Sequence, residues 1–195
     1  MQQSVTHGQG GMAVIIGLED ATVEFICSEM QTEHQLVSPA NYNAIGQVVV
    51  AGEIRALNRL IDKTKEAGAK IAKILPVSVP SHCMMMTPAA DALLHILQDV
   101  NLTMPTVPVL SNVDATVHLN PTLAQEKLCQ QLIAPVQWVR SIQAMAKHGI
   151  TDHLEIGPGR VLTGLCKRTN RDIHLHCLDA PEALDSIITL MQEEY

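Results

Sequence analysis

The first 75 residues alternate strand and helix signals in an order that narrows the choice of fold sharply. The run MAVIIG at 12–17 is short, apolar and ended by glycine, which predicts a strand. Residues 19–30 carry Ala21, Val23, Phe25, Ile26 and Met30 at roughly helical spacing, which predicts a helix. A short strand is expected over 35–39, and NYNAIG at 41–46 is rich in turn residues. QVVVA at 47–51 is β-branched and reads as a strand. Residues 53–67 place Ile54, Leu57, Leu60 and Ile61 on one helical face and stop at Gly68. Residues 70–75 supply a closing strand. The order β-α-β-β-α-β is that of the split βαβ, ferredoxin-like unit.

The remaining chain reads differently. Residues 76–83 are an extended, Pro-bounded segment, and Thr87-Pro88 opens a helix to about residue 100 with Thr87 as N-cap. A strand is expected within 105–112, and two helices over 121–133 and 135–148, each with proline at its start. Strands at 153–156 and 173–178 alternate with helices at 160–168 and 181–194, which suggests a parallel α/β sheet. Three strands after residue 100 make a thin sheet for that many helices, so either another chain completes the sheet or the number of strands differs from three. The predicted class is α/β, with domains 1–75 and 76–195.

Composition bounds the function. Lys and Arg number 13 against 20 Asp and Glu, a net charge of −7, and Phe25, Tyr42, Trp138 and Tyr195 are the only aromatic residues. Such a chain lacks both the cationic footprint and the stacking platforms of a nucleic-acid binder. Hydrophobic residues at 47% rule out wholesale disorder. No apolar run approaches the ~18 residues of a membrane span, and residues 1–11 do not resemble a signal peptide. Five widely spaced cysteines without a C-x-x-C read as reduced thiols, which points to the cytoplasm.

Few residues offer chemistry. His82 closes the extended segment VPSH, a place from which loops deliver catalytic groups; the bland alternative is a surface or satisfied core histidine. Ser81 and Cys83 flank it, but neighbours on an extended strand point to opposite faces, which argues against a dyad with either. GPGRVLTG at 157–164 is no phosphate loop, because Leu165 stands where lysine belongs; a strand-to-helix turn is favoured, with Arg160 left able to meet an anion. His174 and His176 share a strand face without further ligands at suitable spacing, so no metal is expected. Met84–Met86 suit adaptable packing, and Asn43 most simply builds a turn. There is no G-x-S-x-G. The residues alone provide a base without a nucleophile.

Five motifs occur in an order that resembles one family. They are GQVVVAG at 46–52, PVSVPSH at 76–82, PTVPV at 105–109 with Asn112-Val113-Asp114, QLxxPVQW at 131–138 and EIGPGRVL at 155–162. Together they closely resemble the malonyl-CoA:acyl-carrier-protein transacylases of bacterial fatty-acid synthesis, over essentially the whole chain from Met12. The resemblance implies a small ferredoxin-like subdomain inserted in a large α/β-hydrolase-like one, with the active site in the cleft between. It implies that a serine in a G-H-S-x-G elbow takes malonyl from malonyl-CoA and passes it to the phosphopantetheine thiol of acyl carrier protein. His82 matches the base by its VPSH context, and Gln131 matches the residue whose backbone carbonyl holds that ring through Nδ1. Asn43 matches a position near the CoA cleft, and Ser81 precedes the base as in malonyl-selective members.

The departure from the family is large. Its members carry further chain before the part matched here, with the Gly-Gln-Gly oxyanion motif, the serine elbow and the arginine for the malonate carboxylate. Gly8-Gln9-Gly10 is not that oxyanion motif, since it directly precedes the first strand of the small unit. The expectation is a chain corresponding to the C-terminal two-thirds of a transacylase, partnered by the missing N-terminal fragment. No cofactor is implied beyond the CoA and carrier-protein thioesters as substrates. Two alternatives stand beside it: a non-catalytic remnant acting as a binding module, and an acyltransferase segment of a polyketide-type synthase.

Overall fold

A computed structural model describes residues 1–6, 8–118 and 120–193. Its first elements are β1 (Gly10–Ile16), α1 (Asp20–Met30), β2 (Val37–Ala44), β3 (Gln47–Glu53), α2 (Ile54–Glu66) and β4 (Ile71–Ile74). The four strands form one antiparallel sheet in the order β2-β3-β1-β4. Strand alternation divides the side chains between two faces. Ala13, Ile15, Val48 and Val50 lie on one face, buried with Val23 and Ile26 of α1 and Leu57 and Leu60 of α2. Each such Leu or Ile contributes about 1.5–3 kcal/mol by leaving water.

Met12, Val14, Ala40, Val49 and Ala51 lie on the opposite face, covered by Cys83 and Met85. Both faces are therefore dry, which is why MAVII reads as a continuous apolar run. It is also why compactness divides the chain at a different place from the 75/76 boundary. The compact units are Met1–Ser141 and Ile142–Tyr195, because residues after 75 pack on the first sheet.

The first unit continues with a 3-10 turn (Met84–Met86), α3 (Thr87–Gln98), α4 (Pro121–Gln130) and the start of α5 (Trp138–Lys147). Asn120 caps α4 by accepting from the Leu123 amide at 2.8 Å. The second unit holds a parallel pair, β5 (Asp152–Ile156) and β6 (His174–Leu178), with α6 (Val161–Thr169) between them in sequence and α7 (Leu184–Glu193) after a 3-10 turn at Pro181–Ala183. Residue 194, the expected end of the last helix, lies outside the described residues.

Four local expectations are corrected. The turn-rich stretch 41–46 is mostly strand: β2 runs to Ala44, and only Ile45 and Gly46 turn, Gly46 at φ +71°. Asparagines fit there because β2 is an irregular edge strand with register shifts after Pro39 and Tyr42. No strand forms over 105–112. A single bridge joins Leu110 to Val117, while Val107 and Val109 stay exposed with no neighbouring strand among the described residues. Thr87 does not cap α3 but is its first residue and donates to the Met84 carbonyl at 2.7 Å. The segment 76–83 is not extended throughout, since Ser81 and His82 lie in a turn.

Candidate active site

The turn at Ser81–His82 is built from beneath. Pro80 is fully buried and packs against Gly10, where an added Cβ would stand 2.6 Å from the Pro80 ring. The Ser81 amide donates to Val79 O at 2.9 Å. The Cys83 thiol, buried in the sheet's second face, donates to Pro80 O at 3.1 Å. Burial pushes that thiol's pKa up to about 11, so Cys83 is an anchor and no nucleophile.

Between these anchors His82 adopts φ +62°, the left-handed region that costs a side chain with a Cβ roughly 1–2 kcal/mol. Strain of this kind persists where surrounding contacts impose it, and it gathers at functional positions. With the turn in place, the opposite-face argument against a Ser81–His82 pair loses its premise. Among the described residues no hydrogen bond joins Ser81 to His82, and Ser81 is half-buried beside it.

The half-buried His82 ring meets the end of α4. Its Nδ1 lies 2.6 Å from the backbone carbonyl of Gln131, the C-cap residue of that helix. A carbonyl can only accept, so Nδ1 carries the proton and Nε2 of the neutral ring keeps a free lone pair. The carbonyl is available because the last C=O groups of a helix have no intrahelical partner.

The chain around Gln131 is tied on both sides. Its own amide donates to Lys127 O at 2.9 Å. Farther along, Val136 N donates to Ala40 O at 2.8 Å and Tyr42 N to Val136 O at 2.9 Å, which fastens the segment to the edge of β2. Gln137 N donates to Asn112 O at 2.7 Å. The structure thus brings His82 and Gln131 together. It places Asn43 half-buried on β2, two residues from the Asn41–Val136 bridge, without a hydrogen bond to either.

Two contacts beside this site carry no signal in the sequence. Lys127 Nζ lies 2.7 Å from Asp114 Oδ2, thirteen residues away and off the helix. Pro80 and Gly10 touch across seventy residues.

The other candidates serve structure. Glu155 accepts from the amides of Leu162 at 3.0 Å and Thr163 at 2.7 Å, so the first-turn amides after GPGR are filled from within. Arg160, expected to be open to an anion, pairs with Asp179 at 2.9 Å. His174 and His176 both face Asp152 Oδ1, at 3.2 and 3.1 Å. Among the described residues no group of three or more His, Cys, Asp or Glu could hold a metal ion.

A family model described as an acyl transferase domain matches residues 1–193. The chain is 46% identical over 189 residues to a malonyl CoA-acyl carrier protein transacylase of Salmonella typhimurium, covering 97% of this chain and 61% of that protein. It is 37% identical over 194 residues to the protein of that name from Bacillus subtilis, covering 100% and 61%. Among solved structures it superposes, at a TM-score of 0.91 and 42% identity, on a malonyl-transacylase in complex with its type II PKS acyl-carrier protein. That match covers 95% of this chain and 60% of the other. The chain therefore spans less than two-thirds of the length of each of these proteins.

Proposed function

The chain belongs to the acyl transferase domain family, and from that premise we propose that it forms part of a malonyl-CoA:acyl-carrier-protein transacylase with His82 as general base. The observation that carries the proposal is the 2.6 Å contact from His82 Nδ1 to the Gln131 carbonyl. It leaves Nε2 as the only ring nitrogen able to take a proton.

The chemistry follows from that tautomer. Nε2 removes the proton of a serine hydroxyl as the serine oxygen attacks the thioester carbonyl of malonyl-CoA. The C–S bond breaks, the proton passes from Nε2 to the departing CoA sulfur, and a malonyl-serine ester remains. The phosphopantetheine thiol of acyl carrier protein then loses its proton to Nε2 and attacks the ester. The serine leaves with that proton, and malonyl rests on the carrier.

A carbonyl in place of a carboxylate cannot take the second proton, so it orients the ring without relaying charge. It also presents the negative end of α4 to the imidazole while positive charge develops there. The serine and its oxyanion donors belong, on this reading, to a further segment, since the 195 residues contain no G-x-S-x-G. Ser81 and Asn43 are assigned to the substrate side of the site.

The same reading assigns residues 1–75 to a ferredoxin-like small subdomain, supported by the strand order β2-β3-β1-β4. Residues 76–195 would be part of an α/β-hydrolase-like large subdomain, supported by the parallel pair β5–β6. The cytoplasm is the proposed location, in keeping with the free cysteines 27, 83, 129, 166 and 177. No helix among the described residues is long and apolar enough to cross a membrane.

The test is reconstitution. This chain is mixed with the part of the Salmonella relative that lies outside the match, and malonyl transfer from malonyl-CoA to acyl carrier protein is followed. Transfer by the mixture, and no malonyl adduct on this chain alone by intact mass, is the expected pair of results. A stoichiometric adduct on the chain alone would overturn the assignment. The relative held with a type II PKS carrier protein favours a variant of the reading, in which the acceptor is a polyketide carrier. Running both carriers in the assay decides between them.

A further inference from the structure

The His82 contact depends on where α4 ends, and helix ends fray. Gln131 is helical in backbone, at φ −62° and ψ −20°, and its amide closes the last turn onto Lys127. Whatever fixes Lys127 therefore fixes the carbonyl that meets the imidazole.

Lys127 reaches off the helix to Asp114 Oδ2 at 2.7 Å, with the two side chains only 19% and 32% exposed. A fully exposed pair would be too mobile to position anything. Asp114 is itself held, since its Oδ1 accepts from Thr116 Oγ1 at 2.8 Å and from the Thr116 amide at 3.2 Å. The loop carrying it is closed by Ser111 N to Thr116 O at 2.7 Å and Ala115 N to Ser111 O at 3.0 Å. It holds Ala115 at φ +59°.

From the same loop, Asn112 O accepts the Gln137 amide at 2.7 Å. One rigid loop thus grips the chain four residues before Gln131 and six residues after it. Among the described residues the Asp114 contact is the only ion pair made by this stretch of chain.

We infer that Asp114 and Lys127 are positioning residues for the base: they clamp the last turn of α4 so that the Gln131 carbonyl selects the Nδ1–H tautomer of His82. The inference rests on His82 being the base and concerns what keeps it ready. Without the clamp the last turn relaxes, the carbonyl withdraws, and the ring reverts toward the mixture of tautomers it has in water. The pair touches no substrate and acts only through Gln131.

The tautomer is read directly from the 15N shifts of the His82 ring in long-range 1H–15N spectra of the 195-residue chain, at a pH where the imidazole is neutral. The unsubstituted chain is expected to show a protonated Nδ1 and a pyridine-like Nε2. Asp114→Asn keeps the size of the side chain and removes its charge. It should lower the ratio of Nδ1–H to Nε2–H forms roughly fivefold, the worth of one hydrogen bond. Lys127→Gln should do the same, and Lys127→Arg should restore most of the ratio. A merely structural pair would change stability and leave that ratio alone.

An unsubstituted chain with Nδ1–H, and variants that keep it, would overturn the positioning role while leaving His82 as base. An unsubstituted chain with Nε2–H would overturn the base assignment and the inference with it. Amide protection in β1 and β3 checks folding in each variant. Should Asp114→Asn fail to fold, the comparison of Lys127→Gln with Lys127→Arg decides the same question.

Discussion

Replacing Gly10 with alanine should disturb His82, 72 residues away in sequence. A Cβ at residue 10 would stand 2.6 Å from Cγ, 2.9 Å from Cδ and 3.2 Å from Cβ of Pro80. Ordinary contact begins near 3.4 Å, so something must move by about 0.8 Å. The Pro80 ring is rigid and fully buried and cannot swing aside as a lysine would. Overpacking of this size costs about 1–3 kcal/mol. The stiffer unfolded chain returns about 0.4–1 kcal/mol. The net loss expected is about 1–2 kcal/mol.

The displacement would also travel. Pro80 O receives the Cys83 thiol, and His82 lies between the two at positive φ. A shift of that size in Pro80 is large against a 2.6 Å hydrogen bond from the ring to Gln131. Urea unfolding followed by the fluorescence of Trp138, the single tryptophan, measures the stability. The 15N shifts of His82 measure the second effect. A variant within about 0.5 kcal/mol of the parent, with the tautomer unchanged, would refute the claim that Gly10 and Pro80 support the Ser81–His82 turn.

Asp114 predicts an acid response. Burial alone would raise its pKa, but the hydrogen bonds from Lys127 and Thr116 outweigh burial and hold it down to about 2, against an ordinary 3.8. A lowered carboxylate stabilises the fold above its unfolded pKa, and that contribution drains away as pH falls toward 2. With the side chain about a third exposed, the contribution is about 1 kcal/mol, and Asp114→Asn should lose it at neutral pH and match the parent near pH 2 in acid-titrated urea unfolding. Glu155→Ala should free the amides of Leu162 and Thr163 and weaken the start of α6. Their hydrogen exchange should speed up, and unchanged exchange at both would count against the cap.

Much of the first unit was legible because its residues obey one period at a time. MAVII and QVVVA carry unbroken apolar runs, and residues 54–61 repeat at helical spacing, so β1, β3 and α2 stand where those patterns lie. The pattern failed where structure depends on a distant neighbour. NYNA became strand through its place at a sheet edge beside Val136, which no local period announces. PTVPV had the composition of a strand, yet among the described residues it gains only the His118 amide on Val109 O and forms no ladder.

The candidate site divides in the same way. His82 and Gln131 were found by motif and resemblance, since 49 residues separate them in sequence. The positive φ of His82 was invisible, because nothing in VPSH distinguishes an extended end from a turn imposed by a buried proline. Asp114 and Lys127 were equally hidden, being an ordinary acid and base until the loop and helix face each other.

The most direct test of the account compares His82→Ala with Gln131→Ala in malonyl transfer by the reconstituted enzyme. Loss of a positioned general base should slow transfer by roughly 10²–10⁴. Gln131→Ala should slow it far less, because the contact to Nδ1 comes from the backbone and survives truncation of the side chain. Transfer that is insensitive to His82→Ala, or a Gln131→Ala variant as impaired as His82→Ala, would contradict it.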